Sequence, residues 1–589
     1  MAENNGEIVV DEKRSGWAEL IRGEDYWSIW LGIILFLIAV VFIVPNPPKD
    51  MQANFDKANA TMQKESERAP FRTIAFIKAE DAKGKMKGRS AEPLKTLYSY
   101  TAKPGKWKSN PISSFYLNEE DAKAVREANK EKYVKAKAKT AAALAAAMAA
   151  EAAAAAAQFK SEELNDKAKD LIAQWRGTKR SEGKVKKKAN QKPFNYIGSM
   201  IILMIALGLF FAIGVPFMGM NAKNFLIGFP VLFIIAVLAY ILAGQAQLKA
   251  LGISYVLFAL VIGLVIANTV GTPSWVKPAL LTEYFIKTGL VLLGARILIS
   301  KIALIGIPGL GVTWVVTPIV LITTYWFGQQ IVKMPSKELN ITISADMSVS
   351  GVSAAIATAA ACKAKKEELT LAIGLSMVFV AIMIFVLPAI ANGVGMPQVL
   401  AGAWLGGTVD NTGSVVAAGE LIGPVAMYTA ATIKMIQNIL IGVTAFCVAA
   451  YWSLVVERDR NGAGSQMDLT FGSAMAEIWR RFPKFILGFI GASIVFSILY
   501  SSMGHDWGKV MIDNGILAWA NKFRGWFFCL AFVSIGLSTD FRELAVHFKG
   551  GKPVILYVFG QTFNLFLTLF VAWLMFYVIF PDITARILE

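Results

Sequence analysis

The sequence predicts an all-α polytopic membrane protein. About 11–13 transmembrane helices are expected, with two broken segments, crossing or re-entrant, in an inverted-repeat transporter core. A mostly helical extramembrane insert accompanies them. Three observations carry this reading. Of 589 residues, 55% are hydrophobic and 17% charged, with a mean hydropathy of +0.50. Many apolar runs reach about 18–20 residues, enough to cross a hydrocarbon layer of roughly 30 Å, and they do not alternate as barrel strands do. Finally, 340–361 and 398–419 lie among these runs yet are rich in Gly, Ser, Thr and acid. Polar, helix-weakening sequence is costly at membrane depth unless it lines a cavity.

Residues 1–26 form an N-terminal tail of mixed charge. The first transmembrane helix, 27–45, stops at Pro45-Asn-Pro-Pro. No small-residue cleavage site follows it, so it reads as a retained helix. Residues 46–197 form a basic, Ala/Lys-rich insert with 32 Lys/Arg against 18 Asp/Glu. That excess predicts a cytoplasmic location beside anionic lipid. No recognition motif accompanies it, so nucleic acid is not an expected partner. Arg72–Ile77 and Leu94–Tyr100 read as short strands. Asn118-Glu-Glu-Asp reads as a helix start. The helix would run through the Ala-rich tract Thr140–Gln158 toward Trp175, either as a long spacer or in a close-packed pair.

The transporter core occupies 198–581, followed by a tail at 582–589. Spans are expected near 198–217, 225–243, 251–269, 281–299, 303–327, 369–392, 425–453, 485–503, 517–537 and 553–580. The basic clusters Lys184–Lys188, Arg296/Lys301, Lys363/Lys365/Lys366, Arg480/Arg481 and Arg542/Lys549 are all expected on the inner side. That requires 340–361 to cross and 398–419 to be re-entrant. A strict inverted repeat would have both cross. Ser350-Gly-Val-Ser-Ala-Ala and Thr412-Gly-Ser-Val-Val-Ala-Ala look like two copies of one unit, each followed by a long apolar helix.

The broken segments supply the candidate site. A half-helix N-terminus offers free N–H groups to an anion. Ser348, Ser350, Gly351 and Ser353 in the first segment, and Asn411, Thr412, Gly413 and Ser414 in the second, are the expected substrate ligands. Close helix packing is the competing use for residues this small. Asp346 and Asp410, with Lys434 and Gln437, form the expected ion-coupling set, because isolated charges at this depth must be protonated, paired or met by a cation. Na⁺ at Asp346/Asp410 is the only metal expected, and no cofactor is. Glu283/Lys287 and Arg296 read as interfacial anchors. His505 and His547 receive no role, and Cys362, Cys447 and Cys529 form neither a disulfide framework nor a metal site.

Around these segments the chain resembles the sulfate exporter family of YeiH-type bacterial inner-membrane proteins. The resemblance rests on Lys287-Thr-Gly-Leu-Val-Leu-Leu-Gly-Ala-Arg-Ile, Ser348-Val-Ser-Gly-Val-Ser-Ala-Ala-Ile-Ala, Val415-Val-Ala-Ala-Gly and Thr432-Ile-Lys434, within about 225–580. The family is similar to the larger group of bile-acid, bicarbonate and sodium/proton transporters. That relation implies inverted repeats, a multi-pass inner-membrane location and often a homodimer. The chain departs from the family pattern at Asp346, Ser350, Asp410-Asn411, Ser414 and Gln437, and it carries an insert that compact members lack. The expected function is secondary transport of a small anion (sulfate, sulfonate or carboxylate) by alternating access, coupled to Na⁺ or H⁺. The alternative is a channel built on broken helices. No P-loop, paired-His metal motif or nucleophile elbow points to an enzyme.

Overall fold

The computed structural model describes residues 9, 17–90, 94–251, 253–297, 299–456, 471–545 and 551–588. His547, Lys549 and most of the N-terminal tail lie outside them. Helix dominates, and the only sheet among the described residues pairs Tyr116–Leu117 with Phe194–Asn195. Helix α1 (Glu24–Ile43) carries Glu24 and Asp25 in its first turn, where acid suits the helix dipole, and ends before Pro45. It packs into the membrane core through Leu31, Leu35 and Ala39.

The insert holds α2 (Met51–Arg68), α3 (Ile74–Lys85), α4 (Leu94–Ser99), α5 (Glu119–Ala156) and α6 (Glu162–Ala189). Both expected strands are helices instead. Thr73 caps α3 by accepting from the Phe76 N–H, and the i, i+3 pair Ile74 and Ile77 packs on Ala147, Ala150, Ile172 and Trp175. This helical spacing buries an apolar face without a partner strand. Asn118 caps α5 as expected, accepting from the Asp121 N–H at 2.6 Å. The Ala-rich tract does not run on to Trp175. It ends at Ala156, turns through Gln158 and Phe159 in the left-handed region, and resumes at the Ser161 cap as the second arm of a close helix pair.

The membrane core follows as α7 (Ile197–Ala212), α8 (Ala222–Ala243), α9 (Tyr255–Thr269), α10 (Thr282–Arg296) and α11 (Ile299–Phe327). Next come the half-helices α12 (Lys337–Ala345) and α13 (Val352–Ala361), then α14 (Lys366–Gly393). The half-helices α15 (Gln398–Thr408) and α16 (Thr412–Ile422) precede α17 (Pro424–Tyr451), α18 (Phe485–Trp507), α19 (Ala518–Ser538) and α20 (Lys552–Trp573). Eight stretches among the described residues are long and apolar enough to cross a membrane, one of them spanning both α18 and α19. With the shorter apolar helices α7 and α9, eleven helices among the described residues are candidates to cross.

Both broken segments are re-entrant hairpins. In the first, the Cys362 thiol lies 3.8 Å from the Thr342 hydroxyl and 3.9 Å from the Glu338 carbonyl, so α12 and α13 run back to back. Its base packs on Val448 and Trp452, and its tip on Leu440 and Ile441. In the second, Gly402 lies against Ala426 and Gly406 against Ala430, so α15 runs parallel to α17. Gly419 lies against Met427 while Thr412 meets Asn438, so α16 returns antiparallel. The hairpins therefore enter from opposite ends of α17 and meet halfway along it. Each is followed by a crossing helix, α14 or α17, giving two copies of one unit in opposite orientation. The expectation that 340–361 crosses is corrected.

The same geometry corrects the charge reading. The insert sits on the ends of α8, α18 and α19 that include Gln245, Asp506 and Gly525. Arg296 lies there too, bonded to Asn521. Lys363, Lys365 and Lys366 lie at the opposite end, beside the base of the first hairpin. Lys333, linked to Lys552, and Lys484, paired with Glu19, share that opposite end. The basic clusters thus cannot all be inside, because α11 crosses and the first hairpin returns. Single cysteines at the exposed positions Lys135 and Lys365 are predicted to label from opposite sides of sealed vesicles. Labelling from one side would contradict this topology.

Candidate functional site

A hairpin tip at mid-membrane leaves the carbonyls at the end of its first arm without helical partners. Side chains of α17 and α20 supply them. At the first tip, Asn564 Nδ2 donates to Met347 O at 3.1 Å, Gln437 Nε2 to Ser348 O at 3.0 Å and Lys434 Nζ to Val349 O at 3.2 Å. At the second, Gln437 Nε2 donates to Gly407 O at 3.2 Å and Gln561 Nε2 to Thr408 O at 3.0 Å. Asn438 ties the tips laterally: its Oδ1 accepts from the Ser350 hydroxyl at 2.6 Å and its Nδ2 donates to the Thr412 hydroxyl at 3.1 Å.

The two acids come together as expected, through a residue the sequence analysis did not select. Tyr557 Oη lies 3.2 Å from Asp346 Oδ2 and 2.9 Å from Asp410 Oδ2. A phenol has one hydrogen to donate, so both contacts are hydrogen bonds only when one carboxyl carries a proton. Both acids are buried, and Asp346 Oδ1 has no hydrogen-bond partner among the described residues. Lys434 joins this cluster without a direct bond to either acid. Its ammonium is held by Val349 O and by Gln437 Oε1 at 2.8 Å, at the carbonyl end of a half-helix where a cation is favoured.

A cavity of about 180 Å³ opens beside the second tip. Its polar lining includes Glu283, Ser376, Asp410, Asn411, Ser414 and Thr539. Asn411 caps α16 by accepting from the Ser414 N–H at 3.0 Å, while its Nδ2 donates to Glu283 at 3.0 Å. Lys287 then pairs with Glu24 at 2.7 Å and Asp25 at 2.9 Å. Glu283 and Lys287 thus belong to the cavity wall and its support, where the sequence suggested membrane anchors. The lining includes Ser538 at the end of α19 and Thr539 just beyond it, next to a second cavity of about 400 Å³ around Lys277 and Asp540. The site therefore adjoins the face away from the insert.

The expected ligand set divides. Asn411 and Ser414 line the cavity. Ser350 and Thr412 belong to the seam between tips. Gly413 packs on Ile286. Gly351, at φ +61°, lets the first tip approach the Asp410 carbonyl. The Ser348 hydroxyl is spent on Ser344 O, and Ser353 is exposed on α13, so neither reaches the cavity. The sequence did hold a signal for the missed donors. Tyr557, Gln561, Asn564 and Thr568 form a polar stripe at helical spacing on an apolar helix.

A family model described as "Conserved hypothetical protein 698" matches residues 227–557. A UPF0324 membrane protein of Nitratidesulfovibrio vulgaris is 54% identical over 590 residues, spanning all of both chains. The chain belongs to the UPF0324 membrane-protein family. A Rhodopirellula baltica member is 43% identical over 97% of this chain and 92% of its own. The UPF0324 inner membrane protein YeiH of Escherichia coli is 25% identical over 52% of this chain and 81% of its own. No solved structure matches. The full-length relatives share the insert region, whereas the YeiH match covers only about half of this chain.

Two substitutions test the tip geometry. Gly351→Ala would force a side chain onto strained backbone and against the Asp410 carbonyl. It should cost on the order of 1–3 kcal/mol, as should Gln437→Met, which orphans two carbonyls. Ser353→Ala should change stability by less than about 0.5 kcal/mol. Unfolding midpoints in detergent check this ranking, and equal effects at all three positions would contradict it.

Proposed function

We propose that this UPF0324 protein is a secondary transporter of a small anion, coupled to H⁺ or Na⁺, in a bacterial inner membrane. One observation carries the reading: two re-entrant hairpins from opposite faces meet tip to tip, with two carboxyls sharing Tyr557 beside a largely apolar cavity that Asp410, Asn411 and Ser414 also line. Opposed hairpins suit alternating access, because either tip can act as the barrier to its own side. The N-termini of α13 and α16 converge there and favour an anion. Asp410 and Glu283 line the same cavity and oppose one. Physical consistency then requires neutralisation of those acids before an anion binds, which is coupling to a proton or sodium ion. Sulfate, a sulfonate or a carboxylate fits the hydroxyl and amide groups on offer. A channel reading is less well supported, since the two tips are joined through Asn438.

The short loops away from the insert carry Lys333, Lys337, Lys363, Lys365, Lys366, Arg480, Arg481, Lys484, Arg542 and Lys552. Those on the insert side carry fewer: Lys249, Arg296, Lys301, Lys509, Lys522 and Arg524. Short-loop charge sets orientation, while a long domain translocates largely regardless of its charge. The proposed orientation therefore puts the cavity side in the cytoplasm and the insert outside.

Thermal unfolding of the purified protein with sulfate, methanesulfonate and acetate, at pH 5.5 and 8 and with Na⁺ or K⁺, tests the coupling. At least one anion should stabilise the fold, more at low pH or with Na⁺, and Asp410→Asn should abolish that dependence. Stabilisation independent of both ions, or none with any anion, would contradict the proposal.

A further inference from the structure

We propose that the seam between the insert and the membrane core is a second anion site, built for a phosphate-bearing headgroup. The loop 101–111 lies across the ends of α8 and α9. Trp107 Nε1 donates to Ile241 O at 2.6 Å, Trp107 N to Gly244 O at 3.1 Å, and Ala246 N to Trp107 O at 2.9 Å. This fixed strap roofs a cavity of about 500 Å³ lined by Lys103, Lys106, Lys249, Tyr240, Ser254 and Tyr255. The cavity is separate from the hairpin tips and shares no lining residue with theirs.

Its charge is only partly compensated, because the Glu420 carboxylate that acts on Lys103 also acts on Arg524 and Arg296. Among the described residues, none of the three lysines forms an ion pair with a carboxylate. Lys103 instead donates to the Tyr240 hydroxyl at 2.8 Å and sits 4.4 Å from that ring, with the Tyr255 and Trp526 rings each 5.8 Å away. An aromatic cage holds the ammonium but leaves its charge unneutralised. Burial pushes the Lys103 ammonium down to about 8, with Cys529 and Glu420 opposing the fall and Lys522 and Arg524 adding to it. A bound anion relieves that cost.

Ser254 begins α9 without capping its first turn, so the N–H groups there keep no side-chain partner. Three ammonium groups, a helix start and hydroxyls suit a tetrahedral oxyanion. Leu251, 75% exposed two residues from Lys249, puts the rim at the edge of the apolar layer. That position favours a lipid phosphate over a free one.

The full-length protein in detergent is titrated with phosphatidylglycerol, phosphatidylcholine and inorganic phosphate, read by native mass spectrometry and unfolding midpoint. Phosphatidylglycerol should be retained over phosphatidylcholine. The exposed double variant Lys106→Glu/Lys249→Glu should weaken retention on the order of twenty-fold, and Lys106→Arg/Lys249→Arg should restore it. Displacement of phosphatidylglycerol by millimolar phosphate would assign the site to the free anion instead, and resistance would assign it to lipid. Equal retention by the wild type and the charge-reversed variant, at unchanged folding, would overturn the proposal.

Discussion

The structure depends on five backbone carbonyls that have lost their helices. Met347, Ser348 and Val349 at one tip, and Gly407 and Thr408 at the other, face a bilayer interior with no water to bond them. Each unsatisfied group there would cost several kcal/mol. Lys434, Gln437, Gln561 and Asn564 supply the missing donors, which explains why α17 and α20 carry such residues far from either interface. Gln437 serves both tips at once, so the hairpins are not independent. A shift of either tip along α17 breaks its bond to this shared residue.

That coupling links the backbone to the proposed transport site. The same junction that satisfies the backbone also gathers Asp346 and Asp410 around one phenol and opens a small cavity beside Asn411. A proton on this pair, or a cation in its place, changes the charge facing the cavity without moving a helix. Beside Asn411 the wall is Glu283, held through Lys287 to the acids at the start of α1. The first helix is thereby part of the core's support.

Much of this was legible in the sequence, and what was not has physical reasons. Apolar length located the crossing helices, and Gly, Ser and acid within them located both breaks. Asp346, Asp410, Lys434 and Gln437 were recognisable because charge and amide at that depth are expensive. The route of each break was not legible, since crossing and returning half-helices have the same composition. The distinction lies in which residues of α17 each arm touches. Basic clusters misled because they were assigned to one side, whereas α11 and the returning first hairpin separate them. Tyr557 was missed because one phenol on an apolar helix reads as packing until the stripe through Gln561, Asn564 and Thr568 is seen. Arg72–Ile77 looked like a strand because its apolar residues satisfy either period over so short a run.

The meeting of the tips is the central claim, and proximity in the membrane tests it most directly. Ser350 and Thr412, which share Asn438, are replaced by cysteines in a protein freed of Cys362, Cys447 and Cys529, and treated in membranes with a short thiol-to-thiol cross-linker. The account predicts efficient intramolecular cross-linking of the pair, absent when Ser353 replaces Ser350 as the cysteine position. Cross-linking of the Ser353 pair but not the Ser350 pair, or of neither, would contradict it.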